Sequence, residues 1–371
     1  MVTPIRCPVV TGPADPADFE PILGRLGDPA PAAAPETFAR GTLQPDGRLD
    51  LCKQGVGPLL TERLTAAAAG SGFVRHLLLG TNGLGDDGAR AVAAALAPGH
   101  HIETVYLGCN RIGEGGVAAL ADRLADDTVV KSLWLKRNPV GDEGVAHLCP
   151  AIAANGTLRT LDLVNTGVTA SGLDMLAGAL AGRVAKLQRL FLGGNGLGPS
   201  VVPVLARLIH EAGIRELYLS ANHLGDDGVS SLARAASGMA MVLGLGGNGI
   251  TPAGVATLAE HLSTWDSLDL ARPPSERALA ATGNHVGDEG AAVLAKALPH
   301  SRVRRLDLRH TGIRGRGAKL LLEAVREHPT LGYLGLNGGV PRRARRAAAE
   351  ALRGRESQPH PDIRAIASVY R

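Results

Sequence analysis

The residue of this sequence best suited to covalent chemistry is Cys109, because Lys136 and Arg137 follow it at about the spacing of an internal repeat. Neighbouring cations lower the pKa of a thiol and favour the nucleophilic thiolate. A cysteine enzyme also needs a base, and His76 falls at the opposite end of its own segment, beyond hydrogen-bond reach of the thiol. Cys109 is therefore a reactive-thiol candidate, and we assign no catalytic residue.

Other catalytic and metal-binding patterns are absent from the sequence. It contains no Walker loop, nucleophile elbow or HExxH segment, and no Cys/His cluster at zinc spacing. The acidic runs GDDG (Gly85 to Gly88) and GDEG (Gly141 to Gly144) lack the spacing of calcium loops and suit the first turn of a helix. We therefore expect no metal and no cofactor, and a binding protein is favoured over an enzyme.

The elements that must position these residues form a repeat. The unit from Val74 to His101 has leucines at its fourth and sixth positions, an asparagine at its ninth, and then two glycines and an alanine-rich run that favours a helix. Nine of ten successive spacings between the ninth-position residues lie within two residues of 28. These residues are Gln54, Asn82, Asn110, Asn138, Thr166, Asn195, Asn222, Asn248, Asn284, Thr311 and Gly339. The spacing predicts stacked strand–turn–helix units that bury their leucines against each other.

The pattern L-x-L-x-x-N-x-[LIV]-G resembles the leucine-rich repeat over roughly residues 46 to 353. The long unit with a full helix resembles the ribonuclease-inhibitor type, which also occurs in the Ran GTPase-activating protein and in NOD-like receptors. The resemblance implies an α/β solenoid (a horseshoe) of about eleven repeats of ~28 residues, with parallel strands on the concave face and helices on the convex face. It identifies no catalytic arginine, and it implies a protein or peptide as the partner.

Alternation along each strand predicts which residues face the partner. Since positions 4 and 6 point into the core, positions 3, 5 and 7 face the concave surface, and position 8 lies at its rim. Position 5 holds four of the ten aromatic residues: Tyr106, Trp134, Phe191 and Tyr218. We expect them to be exposed, with Trp134 the largest anchor, because exposed aromatic rows are typical of interface hot spots. The alternative is that they only shield the sheet backbone.

Polar residues extend this candidate site. The predicted pocket has aromatic rings as walls, Lys136 and Arg137 as anion contacts, and Asp162 with Asn165 as polar partners; Lys136 and Arg137 could equally be an ordinary solvated pair. A second charged patch consists of Asp269, Arg272, Arg305, Asp307, Arg309 and His310. Its mixed charge favours a protein surface over a nucleic acid as the partner.

One repeat is interrupted by eleven extra residues. They lie within Ala271 to Gly283, directly after the strand leucine Leu270. Long insertions into regular arrays are often functional, so this segment is a candidate lid or hook over the concave surface. A tolerated insertion is the alternative.

The ends of the chain differ from the array. Residues 1–45 are a Pro/Ala-rich segment and possible cap, residues 46–340 the solenoid, and residues 341–371 a basic capping helix and tail. The last segment has eight arginines against three acids, a net charge of +5, whereas the whole chain has a net charge of +4. A solvated cap is the favoured interpretation of this charge, and binding to an acidic partner or a nucleic acid is the alternative.

The class of protein follows from these features. No apolar run is long enough to span a bilayer, and the N-terminus lacks the apolar core of a secretory signal, so we expect a cytoplasmic protein that does not bind membranes. The favoured function is a protein- or peptide-binding scaffold, such as an adaptor, inhibitor or sensor. The alternatives are an enzyme or enzyme subunit acting on a peptide or anionic small molecule near Cys109 and Trp134, and an array whose partner binds the convex helices. The oligomeric state stays open.

Overall fold

The computed structural model describes residues 4–5, 7, 12–183, 186–274, 276–326, 328–355 and 358–370. The chain divides into two compact units. The first unit comprises Pro4–Gln188 and Pro359–Arg371, and the second unit contains Arg189–Gln358. The C-terminal segment therefore packs with the N-terminal half of the chain.

Short parallel strands form the sheet in each unit, in chain order. Strands β3 to β7 are parallel in the first unit, and β8 to β13 are parallel in the second. An antiparallel pair, β1 and β2, precedes β3. The strands are β1 (Glu36–Thr37), β2 (Thr42–Leu43), β3 (Arg48–Asp50), β4 (His76–Leu78), β5 (Thr104–Tyr106), β6 (Ser132–Trp134), β7 (Thr160–Asp162), β8 (Arg189–Phe191), β9 (Glu216–Tyr218), β10 (Val242–Gly244), β11 (Ser267–Asp269), β12 (Arg305–Asp307) and β13 (Tyr333–Gly335).

A helix follows nearly every strand. The helices are α1 (Glu20–Leu26), α2 (Gly57–Gly70), α3 (Gly85–Ala95), α4 (Glu114–Leu124), α5 (Gly141–Ala154), α6 (Ala170–Leu180), α7 (Val202–His210), α8 (Gly225–Ala235), α9 (Pro252–Glu260), α10 (Gly287–Ala297), α11 (Gly315–Arg326), α12 (Arg342–Ala351) and α13 (Pro361–Ala365). Helices α1 to α6 and α13 belong to the first unit, and α7 to α12 to the second. No helix among the described residues combines the length and apolarity needed to cross a bilayer.

The strand register is the one that the repeat predicts. Leu77 pairs with Leu49 on one side and Val105 on the other, so the fourth positions of successive repeats are aligned. These three side chains and the sixth-position Leu79 are fully buried. The core of each unit therefore lies between the sheet and its helices, and the opposite side of the sheet is its open face.

The regular spacing of the asparagines produces a hydrogen-bonded ladder. The buried side chain of Asn110 accepts the backbone N–H of Asn82 (2.8 Å) and donates to the carbonyl oxygens of Leu79 (2.9 Å) and Leu107 (3.0 Å). Asn138 makes the same set of bonds one repeat later. Each side chain thus satisfies backbone groups of two repeats that would otherwise be buried without partners.

The acids at the helix starts act on the next repeat as well as on their own. The carboxylate of Asp86, in the first turn of α3, accepts the N–H of Gly113 (2.7 Å), which is the N-cap of α4. Asp142 likewise accepts the N–H of Thr169 (2.8 Å) before α6. The sequence predicted that these acids suit the first turn of their own helix. That prediction was incomplete, because the carboxylates also link neighbouring helices.

Position 8 of the repeat has left-handed backbone geometry. In ten repeats within the described residues the residue there has a positive φ, and the repeat with the insertion is the exception. These residues are Lys53, Thr81, Cys109, Arg137, Asn165, Gly194, Ala221, Gly247, His310 and Gly338. The turn directs the chain from each strand toward the ninth-position side chain, and side chains at position 8 form the rim of the open face.

Candidate functional site

The outward-facing row of the first unit is buried. Leu78, Tyr106 and Trp134 occupy position 5 of consecutive strands and face away from the leucine core, yet they are only 0%, 3% and 1% exposed. The expectation that Trp134 is an exposed anchor is therefore wrong for this state of the protein. Other segments of the same unit lie over the open face, as the contacts below show.

Glycines make room for the ring of Tyr106 on the sheet. A Cβ atom on Gly80, in the neighbouring strand, would overlap the ring, and one on Gly108 would meet its hydroxyl oxygen and the stem of Lys136. The ring therefore lies against the sheet surface instead of standing out from it. Small residues at position 7 are what permit this arrangement.

The C-terminal segment binds the end of strand β7 through Asp362. Arg159 donates Nε–H and Nη2–H to the two carboxylate oxygens of Asp362 (2.9 and 2.6 Å), and Thr160 Oγ1 donates to Oδ2 (2.7 Å). Burial alone would raise the pKa of Asp362, but the hydrogen bonds from Arg159 and Thr160 hold this pKa below its ordinary value. Two donors in a fixed fork plus a hydroxyl form a specific carboxylate site.

The rest of this segment extends to the first repeats. Ala365 and Ile366 are buried, and Ser368 with Val369 lines a cleft of about 370 Å³ beside Asp50 of strand β3. The segment is therefore held at β7 at one end and beside β3 at the other. Between these two strands lie β4, β5 and β6, which carry the buried position-5 row.

Described residues of the N-terminal segment contact the rim of the same face. Pro4 accepts a hydrogen bond from the side chain of Asn165 (3.2 Å), and the thiol of Cys7 donates to the carbonyl oxygen of Arg137 (2.8 Å). Farther along, the N–H of Ala14 donates to Gly55 O (2.8 Å). Asn165, which the sequence assigned to an external ligand, thus binds the protein's own N-terminal segment.

The thiol of Cys109 is activated by its surroundings. The neighbouring thiol of Cys7 is the largest influence on the pKa of Cys109. Burial opposes this influence, and the charges of Arg137 and Lys136 reinforce it, so the pKa falls to about 6. The influence of Lys136 and Arg137 is as the sequence predicted, whereas that of Cys7 was missed. His76 is hydrogen-bonded to Thr104 Oγ1 (3.0 Å), which places its ring at the other end of the strand from Cys109.

Asp162 is a buried carboxyl group. Burial raises its pKa from 3.8 to about 6, although the charge of Lys136 and the N–H of Val164 (2.8 Å from Oδ1) act in the opposite direction. It was predicted to be a surface contact for a partner. In the folded chain it lies beneath the surface, at 1% exposure.

In the second unit the aromatic residues form a stacked pair. The rings of Phe191 and Tyr218 lie parallel with centroids 4.2 Å apart, and Gly244 on the next strand leaves space for Tyr218. Both rings are partly exposed. Arg189, which the sequence did not single out, is buried and pairs with Glu216 (2.7 Å) on the adjacent strand.

The second charged patch is organised around Asp307. This fully buried carboxylate accepts hydrogen bonds from Arg309 (2.9 Å to each oxygen) and from Arg305 (3.3 Å). Arg305 also lies 3.7 Å above the ring of Tyr333. Burial and the charge of Asp307 raise the pKa of Asp269 to about 6. The two acids therefore form the floor of the patch, and the arginines form its surface.

The insertion borders the same patch. Arg272, Pro273, Pro274, Arg277, Arg309 and His310 line a cleft of about 520 Å³. Arg272 pairs with Glu276 (3.0 Å), and Leu279 is buried. The insertion thus packs onto the second unit, and its exposed arginines give the cleft a positive rim.

The residues that sequence reasoning missed in the first unit are Arg159, Thr160 and Asp362. Arg159 and Thr160 occupy positions 2 and 3, at the entry of a strand. Position 3 was predicted to face the concave surface, but the repeat pattern does not show which residue binds there. Asp362 follows Pro361, which is typical of a helix start, but nothing in that signal indicates where the helix docks.

Comparison with known proteins supports the fold. A family model described as "Leucine Rich repeat" matches residues 100–121, 154–177 and 214–233. Among solved structures, the chain is similar to one from the crystal structure of the Rad7 and Elc1 complex in yeast, with a TM-score of 0.55 and 13% identity over 80% of this chain and 70% of that chain. No curated protein matches the sequence. The predicted fold class, an α/β leucine-rich-repeat solenoid, is confirmed.

Proposed function

We propose that this protein is a protein- or peptide-binding scaffold, such as an adaptor, inhibitor or sensor, whose ligand lies on the open face of the sheet. The observation that carries the proposal is the contact of Asp362 with Arg159 and Thr160, because it is a polypeptide segment bound on that face through a specific polar contact. Leucine-rich repeats support such a role in general. The related solved structure is a complex of two proteins.

The proposed binding residues lie in both units. Those of the first unit become available when the terminal segments leave the face. They are Tyr106, Trp134, Lys136, Arg137, Asp162 and Asn165 in the first unit, and Phe191, Tyr218, Asp269, Arg272, Arg305, Asp307, Arg309 and His310 in the second. Partly exposed aromatic rings beside arginines are the composition of interface hot spots.

We also infer the ribonuclease-inhibitor type of repeat and a cytoplasmic location. The helices of nine to fourteen residues between strands β3 and β12 support the repeat type. The four free cysteines, Cys7, Cys52, Cys109 and Cys149, support a reducing compartment.

The test is a selection of peptides from a displayed random library on the full chain. A sheet-face variant of the first unit, Lys136→Ala with Arg137→Ala, should weaken binding of the peptides selected on that unit at least ~10-fold, since truncating hot-spot residues costs more than about 1 kcal/mol each. The matched helix-face variant, Asp122→Ala with Arg123→Ala, should leave binding unchanged. Loss of binding in the helix-face variant alone would contradict the proposal.

A second candidate function is favoured by the lowered pKa of Cys109. In it, the protein would be an enzyme or enzyme subunit acting on a peptide or an anionic small molecule in the pocket near Cys109 and Trp134. The burial of Cys109 argues against free access in the state described. Labelling of wild type by electrophilic probes at Cys109, with Cys109→Ser as the control, tests this candidate; no site-selective labelling would eliminate it.

A further inference from the structure

The C-terminal segment buries one side of a short helix against the first unit. Asp362, Ala365 and Ile366 are buried, at positions i, i+3 and i+4 of α13 and the residue after it. Pro361, Arg364 and Ala367 are exposed. The segment is therefore amphipathic, with one acid and two apolar residues toward the sheet.

The partner of the acid is built for a carboxylate. The guanidinium of Arg159 contacts both oxygens of Asp362, and Thr160 adds a third donor. The side chain of Asp362 is 5% exposed, so the pair is largely shielded from water. An amide in place of this carboxylate would lose the charge and one acceptor, which makes the site selective for Asp or Glu.

The buried position-5 row lies on β4 to β6, between the two strands that hold the segment. Leu78, Tyr106 and Trp134 would be the exposed apolar surface of β4 to β6 if nothing lay over them, and they are 0 to 3% exposed. Ile366 is 1% exposed and lies in the segment held between β7 and β3. Burial of an aliphatic side chain on aromatic and leucine side chains stabilises such a contact by the hydrophobic effect.

We propose that Pro359–Tyr370 is an intramolecular ligand of the open face of the first unit, and that partners of this face present the same pattern. That pattern is an acidic residue followed three and four positions later by a small and an aliphatic residue, on one side of a helical turn. This inference rests on the proposed function and specifies the partner. A partner segment binds by displacing the chain's own C-terminal segment.

Because a partner must displace the C-terminal segment, only partners above a minimum affinity bind this face. A tethered ligand acts at an effective concentration on the order of millimolar, so a free peptide with the same contacts competes poorly with it. A partner gains access when it makes additional contacts or when the tethered segment is weakened. Weak ligands therefore do not displace the C-terminal segment. Ligands that match the pattern and make additional contacts with the face do.

The experiment starts from an opened variant of the full chain, Asp362→Ala with Ile366→Asp. Removing the carboxylate and placing a charge against the apolar row should release the segment, so the emission of Trp134 should shift to longer wavelength and its quenching by acrylamide should rise. Trp265 is fully buried in the second unit and provides a constant background. The control is Ala367→Ser, an exposed position of the same segment, which should match wild type.

The second step measures binding of a labelled peptide with the sequence of residues 358–370. It should bind the opened variant at least ~10-fold more tightly than wild type, because the tethered segment no longer competes. The peptide with Asp362→Asn should bind the opened variant at least ~10-fold more weakly, since the amide cannot replace the charge-assisted pair of hydrogen bonds with Arg159. Adding Arg159→Ala to the opened variant should have the same effect.

Several results would overturn the inference. These are unchanged tryptophan emission in the opened variant, no peptide binding up to about 1 mM, the scale of the tethered concentration, or equal affinity for the Asp362→Asn peptide. If the opened variant does not fold, as judged by circular dichroism, Arg159→Ala in the otherwise wild-type chain should produce the same emission shift.

Failure of this inference differs from failure of the proposed function. If library peptides selected on the opened variant bind the sheet face but lack the acidic and aliphatic pattern, the scaffold function stands and the inference fails. If the peptide of residues 358–370 binds and no other ligand binds the sheet face, the docking of the segment stands and the scaffold function fails.

Discussion

At the scale of single residues, Asp162 connects burial to a measurable pH dependence. Its pKa is about 6 in the folded protein against an ordinary value of 3.8, so ionising it costs about 3 kcal/mol more in the folded than in the unfolded state. Because the folded-state pKa is raised, Asp162 contributes most to the free energy of unfolding while it is neutral. This contribution is fully present below pH 3.8 and is lost as the pH rises through about 6.

Asp162→Asn should therefore stabilise the protein by up to ~3 kcal/mol at pH 8 and have little effect near pH 4. Urea denaturation of both proteins at the two pH values measures the difference, and other titrating groups cancel in the comparison. An Asn variant less stable than wild type at pH 8 would show that the ionised carboxylate makes a net favourable contact.

Cys109 provides the second prediction at this scale. Its rate of alkylation by iodoacetamide, followed by mass spectrometry, should rise with an inflection near pH 6, because the neighbouring Cys7 and the charges of Arg137 and Lys136 lower its pKa to about 6. Cys7→Ala should move this inflection upward, toward the ordinary value of 9.

Two other thiols are internal controls. Burial raises the pKa of Cys149 to about 11 and that of Cys52 well above 9, so neither should react appreciably at pH 7. Equal alkylation of Cys109 and Cys149 at pH 7 would contradict the assignment of an activated thiol.

At the scale of elements, the asparagine ladder joins each repeat to the next. Asn138→Ala removes acceptors for the N–H groups of Asn110 (2.8 Å) and Ile112 (3.1 Å) and donors to two carbonyl oxygens. Since each buried group left without a partner costs about 1–3 kcal/mol, we expect a loss of at least ~3 kcal/mol in the free energy of unfolding.

The matched control for the ladder is Asp122→Ala, an exposed position on α4, which should change stability by less than ~0.5 kcal/mol. Chemical denaturation measures both variants. A loss for Asn138→Ala no larger than that of the control would mean that water or backbone adjustment replaces the ladder.

The predictable part of the structure is the part that repeats. Leucines at positions 4 and 6, the asparagine at position 9 and the helix starts at Gly85 and Gly141 recur in successive repeats, so their spacing was sufficient to predict strand, turn and helix. The acids were harder to interpret. Asp86 caps a helix that begins 28 residues later, and only the stacking of repeats brings the two together.

At the scale of the whole molecule, the contacts that decide the state of the candidate site are non-periodic. Arg159 and Asp362 are 203 residues apart, and no pattern in the sequence relates them. Alternation correctly directed Trp134 away from the leucine core. The repeat pattern carries no information about segments outside it that are held at this face, and for this reason the sequence predicted an exposed residue.

In our proposal the open face of the first unit binds peptide segments, and the C-terminal segment occupies this face in their absence. Hydrogen–deuterium exchange of residues 359–370, measured with and without a peptide selected on the opened variant, shows whether a bound peptide displaces the segment. The amides of Ile363, Ile366 and Val369 are hydrogen-bonded within the docked segment and should exchange slowly in the free protein. We predict at least ~10-fold faster exchange of this segment at saturating peptide, because binding releases it. Saturating peptide that leaves exchange of the segment unchanged would contradict the account.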